Sequence, residues 1–117
     1  MALEGERLTA AFTAQPEHQG WDGIVHGGVI SALLYEVMAN LPRFLAQQAA
    51  LRNCDVRYRR PTPVGEPLNV AADVAERGMR RWKLRAEITD SAGARLATAE
   101  GEAALLSPER AAELGFA

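Results

Sequence analysis

The chain has 117 residues, 48% apolar and 24% charged, with 13 basic against 15 acidic side chains and a net charge of -2. That length fits one domain spanning 1–117 on the usual norm of ~150 residues, and the charge balance excludes both a disordered polymer and the basic excess of a nucleic-acid-binding module. No apolar run nears the ~20 residues of a membrane span, the acidic N-terminus lacks the layout of a secretory leader, and the lone Cys54 allows neither an intramolecular disulfide nor a multi-cysteine zinc site, so a cytoplasmic protein is expected.

Residues 8–14 alternate, with Leu8, Ala10, Phe12 and Ala14 on one side, and read as an opening strand. Residues 15–23 hold Pro16, Gly20 and Gly23 among polar neighbours and read as a loop. From Val29 to about Gln48 the apolar positions Ile30, Leu33, Leu34, Val37, Met38, Leu41, Phe44 and Leu45 recur at three- and four-residue steps, which predicts a long, mostly buried helix. Pro42 removes a backbone donor inside it, so a kink or restart near Asn40 and Leu41 is expected. Gly28, Ala32 and Ala39 share a stripe with Tyr35, narrow enough for another backbone or a slender ligand to approach.

The period then changes to two. Cys54, Val56 and Tyr58 alternate with Asp55, Arg57 and Arg59; Leu68, Val70, Ala72 and Val74 alternate with Asn69, Ala71, Asp73 and Ala75; Trp82, Leu84, Ala86 and Ile88 alternate with charges; residues 95–106 give a last strand. Cys54 thereby reads as a small hydrophobe on the core face. Ser107 and Pro108 place an N-cap and a first-turn proline before a short helix at 109–114, ended by Gly115. The order of one strand, one long helix and four strands joined by short turns is α+β with an antiparallel sheet. Open sheet edges and the small-residue stripe would both be covered by a second copy, so at least a homodimer is expected.

The chemistry concentrates in residues 18–30. A Gly-rich turn delivers the imidazole of His26 and backbone N–H groups to the start of a buried helix, where orphan donors and the helix dipole favour developing negative charge. Gly27 and Gly28 leave no side chain between a carbonyl and those donors, the outline of an oxyanion site, although a Gly-Gly before a helix also serves as plain turn chemistry. His18, Asp22 and His26 match no standard zinc spacing, and no metal is expected.

Gly23-Ile24-Val25-His26-Gly27-Gly28-Val29-Ile30, followed about thirty residues later by Val56-Arg57-Tyr58-Arg59-Arg60-Pro61-Thr62-Pro63-Val64-Gly65-Glu66-Pro67-Leu68, resembles the hotdog-fold acyl-CoA thioesterases, in the branch that includes the phenylacetate-pathway thioesterase. The resemblance covers roughly residues 8 to 106. It implies a long central helix wrapped by a five- or six-stranded antiparallel sheet, homodimers or homotetramers with acyl-CoA sites at the dimer interface, and no cofactor beyond the coenzyme A of the substrate. It further implies that the Gly27 N–H polarises the thioester carbonyl and that His26 helps position it. Gly28, Gly20, His18, Arg59 and Arg60 are the expected substrate-binding positions, the arginines for coenzyme A phosphates; a solvated arginine face is the other reading of the latter.

The sequence departs from the family at the acid. The position nine residues after the histidine holds Tyr35, and Glu36 follows it, rotated ~100° around a helix. A phenol is a poor base at neutral pH, so Tyr35 either orients water, shapes the acyl pocket or packs at the interface. Glu36 is then either the working base or a solvated carboxylate. Gly20 and Leu51 stand where the family often has an asparagine and a small hydroxyl residue. The resulting expectation is an acyl-CoA thioesterase for a small-to-medium acyl or aryl group. Two alternatives stay open: a non-catalytic acyl-CoA-binding protein and, behind it, a hotdog dehydratase or hydratase.

Overall fold

The computed structural model describes residues 1–115. A hairpin of β1 (Ala2–Glu4) and β2 (Arg7–Thr13) turns on Gly5, whose positive φ of 65° suits glycine. A 3₁₀ turn at Pro16–His18 leads to the short pair β3 (Gln19–Trp21) and β4 (Ile24–Val25), then to the helix α1 (Gly27–Phe44). Four long strands follow, β5 (Ala49–Tyr58), β6 (Pro67–Arg77), β7 (Arg81–Thr89) and β8 (Arg95–Leu105), and then α2 (Pro108–Glu113), whose N-cap Ser107 accepts from the Arg110 N–H at 3.1 Å.

The main sheet is six-stranded and antiparallel, ordered β1-β2-β6-β7-β8-β5. Its register aligns Ala10, Val70, Ile88, Ala97 and Tyr58 in one row and Leu8, Ala72, Ala86, Ala99 and Val56 in the next. Both rows face α1, whose Ile30, Leu34, Val37, Met38 and Leu41 are buried against them. The wrapped helix and antiparallel sheet expected from the sequence are therefore present, with six strands. Gly101 sits in this core where a Cβ would meet the Asn53 carbonyl oxygen at 2.6 Å, so close packing of β8 on β5 needs glycine there.

Four local expectations change. The opening strand is displaced by one residue to Arg7–Thr13 and gains β1 as a partner. The stretch expected as loop contains the 3₁₀ turn and β3. α1 begins two residues earlier, because His26 caps it, and stops at Phe44 instead of reaching Gln48. Pro42 produces no restart: it lies fully buried two residues before the helix ends, so its missing N–H costs one bond without a following helical turn to disrupt, and Ala46 then turns the chain with φ 63°. No helix among the described residues is long and apolar enough to cross a membrane.

Candidate active site

Both motifs noted in the sequence meet at the start of α1. The Val25 N–H donates to the Thr62 carbonyl at 2.8 Å and the Val64 N–H to the Gly23 carbonyl at 2.9 Å, so the segment after β5 fastens the β3–β4 pair from which His26 emerges. The His26 N–H donates in turn to the His18 carbonyl at 2.7 Å. With its backbone held, His26 acts as N-cap: its carbonyl accepts from Val29 at 3.0 Å and from Ile30 at 3.3 Å, and its Nδ1 accepts from the Gly28 N–H at 2.8 Å.

Each glycine has a distinct place in this cap. The Gly28 N–H is occupied by the imidazole, and a Cβ at Gly28 would stand 2.9 Å from His26 Nδ1, so glycine makes the room in which the ring folds over the helix start. A Cβ at Gly20 would stand 3.2 Å from His26 Cα and 3.3 Å from its Cδ2, which makes Gly20 the opposite wall. The two glycines expected to touch substrate thus hold His26 between them. The Gly27 N–H makes no hydrogen bond among the described residues, as a first-turn donor does not within a helix. With Nδ1 accepting, neutral His26 carries its proton on Nε2 and can donate from there. α1 has no acidic side chain in its first turn, so its positive end is left for a ligand's charge to complement.

The remaining expected positions separate. His18 spends its Nδ1 on the Gln15 N–H at 2.8 Å and packs its ring on Phe12, while its backbone carbonyl holds the His26 N–H. Arg59 donates from Nε to Thr98 Oγ1 at 3.0 Å, on the face of the sheet turned away from α1 and therefore apart from His26; Arg60 is exposed. Tyr35 is 45% exposed. Glu36 is exposed too, one step of ~100° further around the helix, with its Oε2 accepting from Asn40 Nδ2 at 3.3 Å. His18, Asp22 and His26 form no cluster, and among the described residues no group of three or more His, Cys, Asp or Glu is placed to hold a metal ion.

Three residues at the site went unassigned in the sequence. Tyr58, at the end of β5, lays its phenol over the first turn of α1 while staying 59% exposed; its Oη lies 2.5 Å from Ser31 Oγ and 3.1 Å from the Gly27 carbonyl oxygen. The alternation of β5 correctly aims Tyr58 at the helix side, but the strand runs past the core there. Ser31 was legible only as a hydroxyl in an apolar helix. Trp21, next to Gly20 at the end of β3, is 82% exposed.

A family model described as the acyl-CoA thioesterase N-terminal domain matches residues 17–104. Among solved structures, a thioesterase superfamily protein aligns with a TM-score of 0.82 at 26% identity, over 87% of this chain and 53% of its own, so the present chain spans about half of that protein's length. The Escherichia coli PaaI protein, from the phenylacetic acid degradation operon, aligns with a TM-score of 0.83 at 18% identity over 92% of this chain and 78% of its own. An acyl-CoA hydrolase from Staphylococcus aureus, solved with butyryl coenzyme A, coenzyme A and coenzyme A disulfide, aligns with a TM-score of 0.83 at 18% identity over 90% and 66%. None of the curated proteins matches the chain significantly. The shared architecture is the hotdog fold.

Proposed function

The chain belongs to the acyl-CoA thioesterase family, and on that premise we propose that it hydrolyses a small-to-medium acyl or aryl thioester of coenzyme A to the free acid and the thiol. The observation that carries this reading is the cap of α1. Its imidazole is held by Gly28, and an adjacent N–H, that of Gly27, has no partner among the described residues. A thioester carbonyl placed there accepts from Gly27 N–H and His26 Nε2–H, and both bonds strengthen as the oxygen takes up negative charge. Water adds to the carbonyl carbon, losing a proton to a carboxylate; the tetrahedral intermediate then expels the coenzyme A sulfur, which takes that proton back. The solved relatives with butyryl coenzyme A and from a phenylacetic acid operon support the acyl class.

The carboxylate we assign is Glu36, and the working unit is a pair of chains. Among the described residues β5 ends the sheet with an unpaired edge, and Gly28, Ala32 and Tyr35 are exposed along α1, so a second copy has both an edge and a helix stripe to cover. Sites at that junction would draw their acid from across it. The test is thiol release from a panel of short, long and aromatic acyl-CoA esters. Turnover of one class well above background, lost by about 10²- to 10⁴-fold in Glu36→Gln with binding retained, is the expected result.

A second reading has its own observation: Tyr35 occupies the exposed position where the family carries its acid, while Glu36 is tied to Asn40. In that reading the protein binds acyl-CoA without hydrolysing it. Saturable binding with no thiol release from any ester would replace the first reading by this one.

A further inference from the structure

Resting on the reading of His26 and Gly27 as the carbonyl-binding pair, we infer that Tyr58 is a positioning residue that acts on the His26 imidazole through the Gly27–Gly28 peptide group. The Tyr58 hydroxyl has one proton, and the Gly27 carbonyl, 3.1 Å away, can only accept it. The shorter contact, at 2.5 Å, then runs from the Ser31 hydroxyl to the Tyr58 oxygen. The carbonyl of Gly27 belongs to the same peptide unit as the N–H of Gly28, and that N–H donates to His26 Nδ1 at 2.8 Å. A continuous series results: Ser31 hydroxyl, Tyr58 hydroxyl, peptide 27–28, Nδ1, and at the far side of the ring the Nε2–H that faces a substrate carbonyl.

Each member polarises the next. Hydrogen bonding at a peptide oxygen makes the N–H of that peptide a better donor, an effect of about 10–30% per bond in condensed phase. A stronger Gly28 donor holds the Nδ1 lone pair as acceptor and so keeps the proton on Nε2, the tautomer the reaction uses. Within the single chain Tyr58 is 59% exposed, so the two hydroxyl contacts, more than burial in the chain's own core, hold it over the helix start. Glycine at 27 lets the phenol lie against the backbone: a Cβ there would already be 3.5 Å from the ring and the hydroxyl.

The experiment reads the imidazole directly by ¹⁵N NMR of histidine-labelled protein, at a pH where the rings are neutral. The chain has 2 histidines, and His18 is a built-in reference because its Nδ1 is held by the Gln15 N–H and not by this series. In the wild type both rings show the Nε2–H tautomer. Tyr58→Phe, which keeps the ring and removes the hydroxyl, moves His26 towards a mixture of tautomers and leaves His18 where it was; Ser31→Ala moves it the same way by less. In thiol release, kcat falls by about 3- to 10-fold in Tyr58→Phe, one hydrogen bond's effect, with KM within about twofold. His26 signals unchanged in both variants, or His18 and His26 moving together as in general loosening, would overturn the inference. The NMR result stands without substrate, so an absence of thiol release in the wild type would sink the proposed hydrolysis and leave this assignment to be judged on His26 alone.

Discussion

On the outer face of the sheet Arg7 reaches Asp73 at 2.7 Å and Glu87 at 2.8 Å, Arg85 reaches Asp73 at 2.6 Å and Arg95 reaches Glu87 at 3.2 Å, while on the other side Tyr58 stands exposed over the start of α1, whose Gly27 N–H has no partner among the described residues, with Trp21 exposed on β3 and Tyr35 exposed further along the helix. The outer face lines a depression of about 620 Å³ whose charges are largely ion-paired within the chain. Concavity alone is therefore a poor guide here. Polar groups paired within the chain give up little by staying in water, whereas exposed aromatics around an open donor gain when something covers them. On the proposed function, the surface that looks less like a pocket in one chain is the one a ligand and a second copy would complete.

The sharpest way to break this contrast is Gly28→Ala. Alanine gains about 1 kcal/mol of helix propensity over glycine, so the fold should survive. The new Cβ, however, would sit 2.9 Å from His26 Nδ1 and displace the ring, while the Gly27 N–H remains. Thiol release should fall by about 10²-fold or more, the usual loss when a donor to the oxyanion is removed, with thermal stability little changed. Retained turnover in a folded Gly28→Ala protein would show that the cap is structural only.

Arg7→Met tests the other side. The hydrogen bond to Glu87 raises the pKa of this guanidinium, outweighing the burial that lowers it, and Glu87 and Asp73 add their charges to the same effect. Arg7 is nevertheless 39% exposed, and its two carboxylates keep Arg95 and Arg85. A loss of about 1 kcal/mol or less is expected in thermal or urea unfolding, shrinking further at high salt, with thiol release unchanged. A large loss of turnover would mean that the ion-paired face takes part in the site after all.

Periodicity made the architecture legible because burial on one face is written into every second strand residue and every third or fourth helix residue. Leu8, Val70, Leu84, Ile88 and Met38 are buried where that pattern puts them. What periodicity could not show is where a strand outruns its core. Tyr58 obeys the alternation of β5 and still ends up exposed, over a helix start whose contact is separated from it by 31 residues. Arg59, one residue on, falls by the same alternation on the opposite face, against Thr98. At the site itself the sequence showed the residue types but not their economy of hydrogen bonds. Gly27 and Gly28 look equivalent as donors in the chain, and only the folded cap distinguishes the one taken by His26 from the one left open.

β5 carries both surfaces, which makes Cys54 a reporter of how sharply they are divided. Its side chain shares the helix-facing side of β5 with Val56 and is half-buried, while its neighbour Asp55 faces outward. Burial first, and the Asp55 charge second, push the Cys54 thiol up from its ordinary range. The folded chain thus holds this proton more tightly than the unfolded chain does; the associated stability is present below the usual thiol value of ~8.5 and is lost as pH rises through it to the higher folded value. Alkylation requires the thiolate, so iodoacetamide at pH ~8 should label native protein several-fold more slowly than protein unfolded in urea, corrected for the reagent's own rate. Asp55→Asn should recover only the smaller share of that protection, because the charge is the lesser cause. Full recovery in Asp55→Asn would instead make the outer-face charge dominant at Cys54, and equal rates in native and unfolded protein would place this stretch of β5 with the open surface around α1.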